Sequence, residues 1–182
     1  MNNTLYITVG LPGSGKSTYV KNFIKDKDVE YLSSDSLRAV YGKSEEDQTV
    51  TPLVFGHIKR KVDEFLKDGK NVLVDATSVN RKERSDYINT AKKYGAKVVA
   101  IVFKMDRQGL IDRNKKRGEQ GGREVPTFVI DKMLNKFEEP SYGESTAYGI
   151  VSNILSTKIG INVFLDGYLP NVKESNFFSS FG

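Results

Sequence analysis

Residues 10–18 read Gly-Leu-Pro-Gly-Ser-Gly-Lys-Ser-Thr, and they directly follow the apolar stretch Leu5-Tyr6-Ile7-Thr8-Val9. The spacing G-x-x-x-x-G-K-S after a strand is typical of a phosphate-binding loop, in which backbone amides surround phosphates at a helix N-terminus. In such a loop Lys16 neutralises the β- and γ-phosphates and Ser17 binds Mg²⁺. The sequence therefore predicts a site for a nucleoside triphosphate, taken as ATP, with Mg²⁺. The residues expected to form it are Gly10, Pro12, Gly13, Ser14, Gly15, Lys16, Ser17 and Thr18.

Around this loop, apolar runs of strand length alternate with amphipathic stretches of helical length. This alternation predicts an α/β fold with a mostly parallel sheet and helices on both faces. Further strands are expected at 29–32, 71–74, 97–103, 148–155 and 161–165, and helices at 17–24, 52–68, 80–94, 107–117 and from 126 to before 140. In open sheets of this kind ligands bind at the carboxyl ends of the strands, so the chemistry should lie there.

The composition excludes several kinds of site. The chain has no cysteine and one histidine, His57, so disulfides and thiol catalysis are excluded and a histidine-based zinc site is not expected. His57 is expected to be structural. No apolar stretch approaches the length of a signal peptide or a membrane span, which predicts a cytoplasmic protein with no membrane partner.

Positive charge is concentrated in one segment of the chain. Six basic residues lie between 107 and 123 against two acidic ones, and Arg113 and Arg117 stand four residues apart on one face of a predicted helix. Together with Arg123, in the segment after this helix, these arginines are typical of a lid that neutralises charge developing on the γ-phosphoryl oxygens. An isolated basic helix is more often a solvated face. The glycine-rich segment after this helix, residues 119–125, is expected to be mobile.

Two aspartates are candidates for separate roles, one in binding the acceptor hydroxyl and the other in supporting Mg²⁺. Asp35 and Arg38 lie three residues apart after the second strand, so they share one helix face and can hold a hydroxyl and a neighbouring phosphate. The alternative is that Asp35 only strengthens a helix N-terminus while Arg38 is solvated. Asp75 ends the central strand, where it either supports Mg²⁺ indirectly or caps the loop through Thr77.

The segments S-S-D-S-L-R, D-A-T-S-V-N-R-K-E-R and R-N-K-K-R, together with the phosphate-binding loop, resemble the polynucleotide 5′-hydroxyl kinases of bacteriophage and the kinase module of bacterial polynucleotide kinase-phosphatases. The run 47–51, D-Q-T-V-T, also resembles the bacterial modules. The resemblance covers roughly residues 6–142. It implies a P-loop kinase that transfers the γ-phosphate of ATP to 5′-hydroxyl ends of single-stranded DNA or RNA.

The resemblance also implies roles for individual residues. Asp35 would activate the 5′-hydroxyl and Arg38 would contact the adjacent 3′-phosphate, while Arg84 would be a substrate contact. The catalytic set would be Asp35, Lys16, Arg113 and Arg117. A P-loop kinase domain is expected over residues 1–150, with a helical lid at about 106–140 and a C-terminal extension at 151–182.

The chain also departs from the family's pattern. Residues 164–167 hold one aspartate where a phosphatase would have D-x-D, so no phosphatase activity is expected. The aromatic tail at 176–181 is expected to dock on its own domain or on another subunit, which leaves a homo-oligomer open.

Two further functions are compatible with the pattern. One is a small-metabolite or nucleoside kinase, and the other is an ATP-dependent switch or binding protein without transfer. Against the switch, the chain lacks an N-K-x-D guanine-reading motif.

Overall fold

A six-stranded sheet forms the centre of the computed structural model, which describes residues 3–141, 147–152 and 162–165. The strands are β1 (Thr4–Val9), β2 (Glu30–Ser33), β3 (Val72–Asp75), β4 (Lys97–Lys104), β5 (Ala147–Ser152) and β6 (Asn162–Leu165). Their order across the sheet is β2-β3-β1-β4-β5-β6. Neighbours from β2 to β5 pair in parallel and β6 is antiparallel to β5. The predicted α/β fold with a mostly parallel sheet is confirmed.

Helices connect the strands, and several begin at polar caps. They are α1 (Lys16–Ile24), α2 (Ser34–Tyr41), α3 (Thr51–Lys67), α4 (Arg81–Lys93), α5 (Arg107–Glu119) and α6 (Thr127–Asn135), with a 3₁₀ turn at Gln48–Val50 before α3. The side chain of Asn80 accepts a hydrogen bond from the backbone of Glu83, as the spacing N-x-x-E predicts. Ser33 caps α2 in the same way.

Helices cover both faces of the sheet. Successive side chains along each strand point to opposite faces, so the apolar ones enter two separate cores. In β1, Leu5 and Ile7 are buried in the core with helices α3 and α4. Tyr6 points to the other face and contacts Phe23 of α1, with ring centroids 5.2 Å apart. This two-sided burial explains why the strands have a nearly continuous apolar sequence.

A third apolar cluster joins α5 and α6, which span the predicted lid at about 106–140 and are called the lid helices below, to the phosphate-binding loop. It contains Leu11 of the loop, Leu110 of α5 and Ile130 of α6, each buried. Helix α5 extends through Gly118 to Glu119, slightly further than the sequence predicts. The following segment folds back on α5, where Gly122 donates its backbone N–H to the carbonyl of Arg117, and its expected mobility stays a prediction.

The C-terminal part of the described chain adds strands to the same sheet. Strands β5 and β6 confirm the two strand-like segments beyond residue 147. The expected domain boundary at 150 falls within β5 and stays a prediction. The tail at 176–181 lies outside the described residues. Within those residues, the structure has no helix long and apolar enough to cross a membrane.

Candidate active site

The carboxyl ends of β1, β2 and β3 open into a cleft of about 300 Å³ that the lid helices border on the other side. This size is at the lower end of the range for small-molecule sites. The cleft brings together most of the residues singled out from the sequence. They are Pro12, Gly13, Gly15, Lys16, Ser17, Thr18, Asp35, Arg38, Asp75, Arg113 and Arg117.

The phosphate-binding loop has the backbone that its sequence predicts. Gly13 and Gly15 have φ angles of 84° and 90°, in the left-handed region where other residues are strained. A Cβ on Gly13 would lie 2.8 Å from the carbonyl oxygen of Leu110, so the loop packs directly against the backbone of α5. Gly10 and Ser14 lie in the loop but behind the cleft surface, where Ser14 is buried.

Lys16 is the buried cation of the loop. Its Nζ donates a hydrogen bond of 2.8 Å to the carbonyl of Leu11, across the mouth of the loop. Burial lowers its pKa to about 8, opposed by the nearby carboxylates of Asp75 and Asp35. Burial disfavours the charged ammonium form, and a nearby anion stabilises that form. A phosphate in the cleft would supply that anion.

Asp75 ends β3 as a buried carboxylate with defined partners. Its Oδ2 accepts a hydrogen bond of 2.8 Å from the hydroxyl of Tyr31, and its Oδ1 accepts one of 3.3 Å from Thr8. Burial raises the pKa of Asp75, while the Tyr31 hydrogen bond and the charge of Lys16 oppose the rise. The contacts orient this carboxylate toward the cleft from the end of the central strand. Asp75 accepts its described side-chain hydrogen bonds from these two hydroxyls, and none of the described hydrogen bonds joins it to Thr77.

The opposite wall of the cleft is built around Asp35. This carboxylate lies in the first turn of α2, and its Oδ1 accepts hydrogen bonds from Arg38, at 2.5 Å, and from Arg123, at 3.3 Å. The Arg38 side chain is 9% exposed and that of Arg123 is 19% exposed. Burial lowers the pKa of Arg38, and Asp35 opposes this effect. Asp35 and Arg38 therefore share one helix face, as their spacing predicts.

The lid arginines approach the cleft from α5. Arg113 and Arg117 both line it, and Arg117 also donates a hydrogen bond of 2.6 Å from Nε to the carbonyl of Arg123. Five basic side chains and two carboxylates line the cleft, counting Arg123. This excess of positive charge favours a polyanionic ligand.

Arg84 is placed differently from the other predicted site residues. It does not line the cleft, and its side chain is 1% exposed. Its guanidinium donates a hydrogen bond of 2.9 Å to the carbonyl of Ser78, which has a left-handed φ of 44°. In this position Arg84 supports the loop between β3 and α4. Its role as a substrate contact stays a prediction that this placement does not favour.

The cleft also contains described residues that are not among the predicted site residues, namely Ser33, Ser34, Gln48, Ala76, Thr77 and Met133. Gln48 belongs to the 3₁₀ turn before α3 and Met133 to α6, whereas Arg123, a predicted lid arginine, lies in the segment after α5. The run 47–51 is a signal for Gln48, because it is part of the resemblance. For Met133, and for the contact of Arg123 with Asp35, the local sequence offers no comparable signal, since both depend on how the lid folds back.

The donor set fits a magnesium ion that arrives with a nucleotide. The described residues contain no group of three or more histidine, cysteine or acidic side chains that could hold a metal. Ser17 is an exposed hydroxyl in the cleft at the start of α1, and Asp75 offers a carboxylate there. Mg²⁺ retains several waters and uses few protein ligands when phosphates supply the others.

Residues 5–140 match the model of the family described as AAA domain. Among characterised relatives, the L-seryl-tRNA(Sec) kinase of Methanococcus maripaludis is 30% identical over 191 residues, which cover 94% of this chain and 67% of that protein.

Solved structures give the same fold. A chain of the Pnkp1/Rnl/Hen1 RNA repair complex has a TM-score of 0.66 and 30% sequence identity, covering 74% of this chain and 44% of that chain. A gluconokinase from Sinorhizobium meliloti 1021 has a TM-score of 0.56 at 15% identity, covering 85% of this chain and 84% of that one. This chain thus spans less than half the length of the repair-complex chain it matches.

Proposed function

This chain belongs to the AAA domain family, with a P-loop kinase fold, and from that premise we propose that it is an ATP-dependent kinase acting on the 5′-hydroxyl end of DNA or RNA. The observation that carries the proposal is the arrangement across the cleft. A phosphate-binding loop with its buried lysine faces a carboxylate that two arginines flank. One wall suits a triphosphate, and the other suits a hydroxyl next to a phosphate.

The proposed reaction is an in-line phosphoryl transfer. The acceptor oxygen forms a bond to the γ-phosphorus, the bond from that phosphorus to the β,γ-bridging oxygen breaks, and ADP leaves. The hydroxyl proton goes to the carboxylate of Asp35. In a loose transition state the proton leaves late, so Asp35 acts mainly by orienting the hydroxyl.

The donor side has a distinct set of tasks. Lys16 and the loop amides hold the β- and γ-phosphates, and Ser17 with Asp75 would hold Mg²⁺, directly and through water respectively. When bound, Mg²⁺ would supply positive charge that neutralises the charge developing on the phosphates. Arg113 and Arg117 approach from the lid, where they stabilise the negative charge on the transferring group.

The choice of a polynucleotide acceptor rests on the sequence resemblance and on the charge of the acceptor wall. Arg38 and Arg123 both lie beside Asp35, so the cleft has more cationic groups than a triphosphate loop needs. The repair-complex chain supports this choice, since it belongs to an RNA repair complex and is 30% identical to this chain. The proposed division into a kinase domain at 1–150 and an extension at 151–182 follows the same resemblance.

A second candidate is an acceptor hydroxyl carried on transfer RNA. The specific observation in its favour is the match to the L-seryl-tRNA(Sec) kinase, which extends over 94% of this chain. Such an acceptor also places a hydroxyl close to RNA phosphates. The two candidates share the donor chemistry and differ in the group that the Asp35 wall receives.

The test measures transfer of labelled γ-phosphate from ATP with Mg²⁺ to separate acceptors. These are a 5′-hydroxyl oligonucleotide of DNA, one of RNA, seryl-tRNA, free nucleosides and gluconate. Label on an oligonucleotide, lost in Asp35→Ala and Lys16→Ala variants, is the expected result. Label on seryl-tRNA alone would select the second candidate. Bound ATP with none of these acceptors labelled would refute both proposed acceptors and leave another small acceptor or a switch.

A further inference from the structure

Two arginines from distant parts of the chain meet at one oxygen of Asp35. Arg38 comes from the same helix, three residues on, whereas Arg123 comes from the segment after α5, 88 residues away in sequence. Both guanidinium groups donate to Oδ1 through their Nη1 atoms. One carboxylate therefore serves two cations that are largely withdrawn from solvent.

The position of Arg123 is built by specific contacts of the lid. The amide of Asn114 donates to the carbonyl of Val125 at 2.7 Å and accepts from its N–H at 2.9 Å, and both residues are buried. Arg117 binds the carbonyl of Arg123 itself. These bonds fix the backbone on both sides of residue 124, so the Arg123 side chain is directed to α2.

The neighbouring protein groups supply too little negative charge to balance Arg38 and Arg123. Asp35 carries one charge for two guanidinium groups, and Arg38 Nε is buried with no hydrogen-bond partner among the described residues. Buried cations are normally paired with anions and hydrogen-bonded. A singly charged phosphodiester would balance the pair, and guanidinium groups bind phosphate oxygens with favourable geometry.

We propose that Arg123 is a specificity-determining residue, which together with Arg38 binds the phosphodiester next to the accepting hydroxyl. The inference rests on the proposed function and adds to it the residue by which the lid recognises the acceptor. Arg123 thus belongs to the acceptor side of the reaction, although it lies on the same lid as Arg113 and Arg117. Its removal weakens acceptor binding and leaves the ATP site intact.

The test compares two 5′-hydroxyl oligonucleotides that differ in one group. The first has an ordinary phosphodiester between nucleotides one and two, and the second has an uncharged methylphosphonate there. We expect Arg123→Ala to raise the KM for the ordinary oligonucleotide about tenfold to a hundredfold, the usual cost of a charged hydrogen bond. The KM for the methylphosphonate should change less than threefold, and Arg123→Lys should recover part of the loss.

The controls separate this role from folding and from general charge. Lys116→Ala removes one exposed charge from the same lid outside the cleft, and it should leave both KM values unchanged. ATP affinity of Arg123→Ala should equal that of the wild type, which also shows that the variant folds. Equal losses on both oligonucleotides, or a raised KM for ATP, would overturn the inference alone. Transfer by the wild type to neither oligonucleotide would instead refute the proposed function.

Discussion

The two walls of the cleft are made in different ways. The wall around Lys16 comes from one continuous stretch between β1 and α1, and its shape depends on backbone and glycine conformation. The wall around Asp35 is assembled from α2, the 3₁₀ turn and the lid, and it depends on side chains such as Asn114 and Arg123. A contiguous site can therefore be recognised from local sequence, whereas a site assembled from distant segments can be recognised only from the tertiary structure.

The first prediction distinguishes the two walls by the kinetic constants that they control. Asp35→Asn removes the carboxylate that orients the hydroxyl and accepts its proton, and it should lower kcat by about 10²- to 10⁴-fold while ATP binding changes little. The measurement is single-turnover transfer beside ATP titration by calorimetry. Lys16→Ala is the matched variant on the other wall, and it should lose ATP affinity as well. A fully active Asp35→Asn enzyme would contradict the assignment of the acceptor chemistry to the Asp35 wall.

The second prediction uses pH to examine the Lys16 wall alone. Because burial lowers the pKa of Lys16 to about 8, the free enzyme loses this positive charge as the pH rises through that value. ATP affinity should then fall by up to about tenfold per pH unit, since only the protonated lysine attracts the phosphates. The measurement is the Kd for ATP between pH 6.5 and 9.5.

As the pH rises, the free energy of unfolding should change in the direction opposite to ATP affinity. The unfolded chain has the ordinary lysine pKa of 10.5 and binds more protons than the folded chain between pH 8 and that value. The free energy of unfolding should therefore rise with pH in this window relative to a Lys16→Met variant. A flat ATP affinity up to pH 9.5, or a stability difference that falls, would contradict the altered pKa.

Much of the donor wall, and less of the acceptor wall, was predictable from sequence. Glycine and lysine spacing fixes the loop because few backbones satisfy that pattern, and the three-residue spacing of Asp35 and Arg38 fixes their common helix face. The segment 119–125 was expected to be mobile because glycine content is a local signal. Its packing depends on the amide of Asn114, a long-range effect that glycine content does not reveal.

The third prediction weakens the assembled wall without touching the cleft. Asn114→Ala leaves the N–H and carbonyl of Val125 without their partners, and an unsatisfied buried group costs about 1–3 kcal/mol. We expect faster hydrogen exchange at the Val125 amide, by about tenfold to a hundredfold. The KM for the acceptor should rise and that for ATP should not. Lys115→Ala, an exposed neighbour, serves as the control, and unchanged exchange in Asn114→Ala would refute this account of the lid.

The smallest effect on catalysis is expected outside both walls. Arg84→Met removes the hydrogen bond to the carbonyl of Ser78 and should lower the free energy of unfolding by about 1.5–3 kcal/mol. Transfer rate and both KM values should remain within about twofold at temperatures where the variant is folded, as expected for a residue that contacts no substrate. Chemical denaturation and steady-state kinetics measure the two quantities. A selective rise in acceptor KM would restore Arg84 as a substrate contact.

The close packing of Gly13 against the carbonyl of Leu110 gives the two walls a shared boundary. The backbone of the loop and the backbone of the lid helix touch there with no side chain between them. A displacement of α5 toward the loop must therefore change the geometry of the phosphate site. If a bound donor favours the lid position in which the acceptor binds, it raises the affinity for the acceptor. By thermodynamic linkage, a bound acceptor must then raise the affinity for the donor by the same factor. Donor and acceptor would then bind as thermodynamically linked ligands, with each reporting the presence of the other.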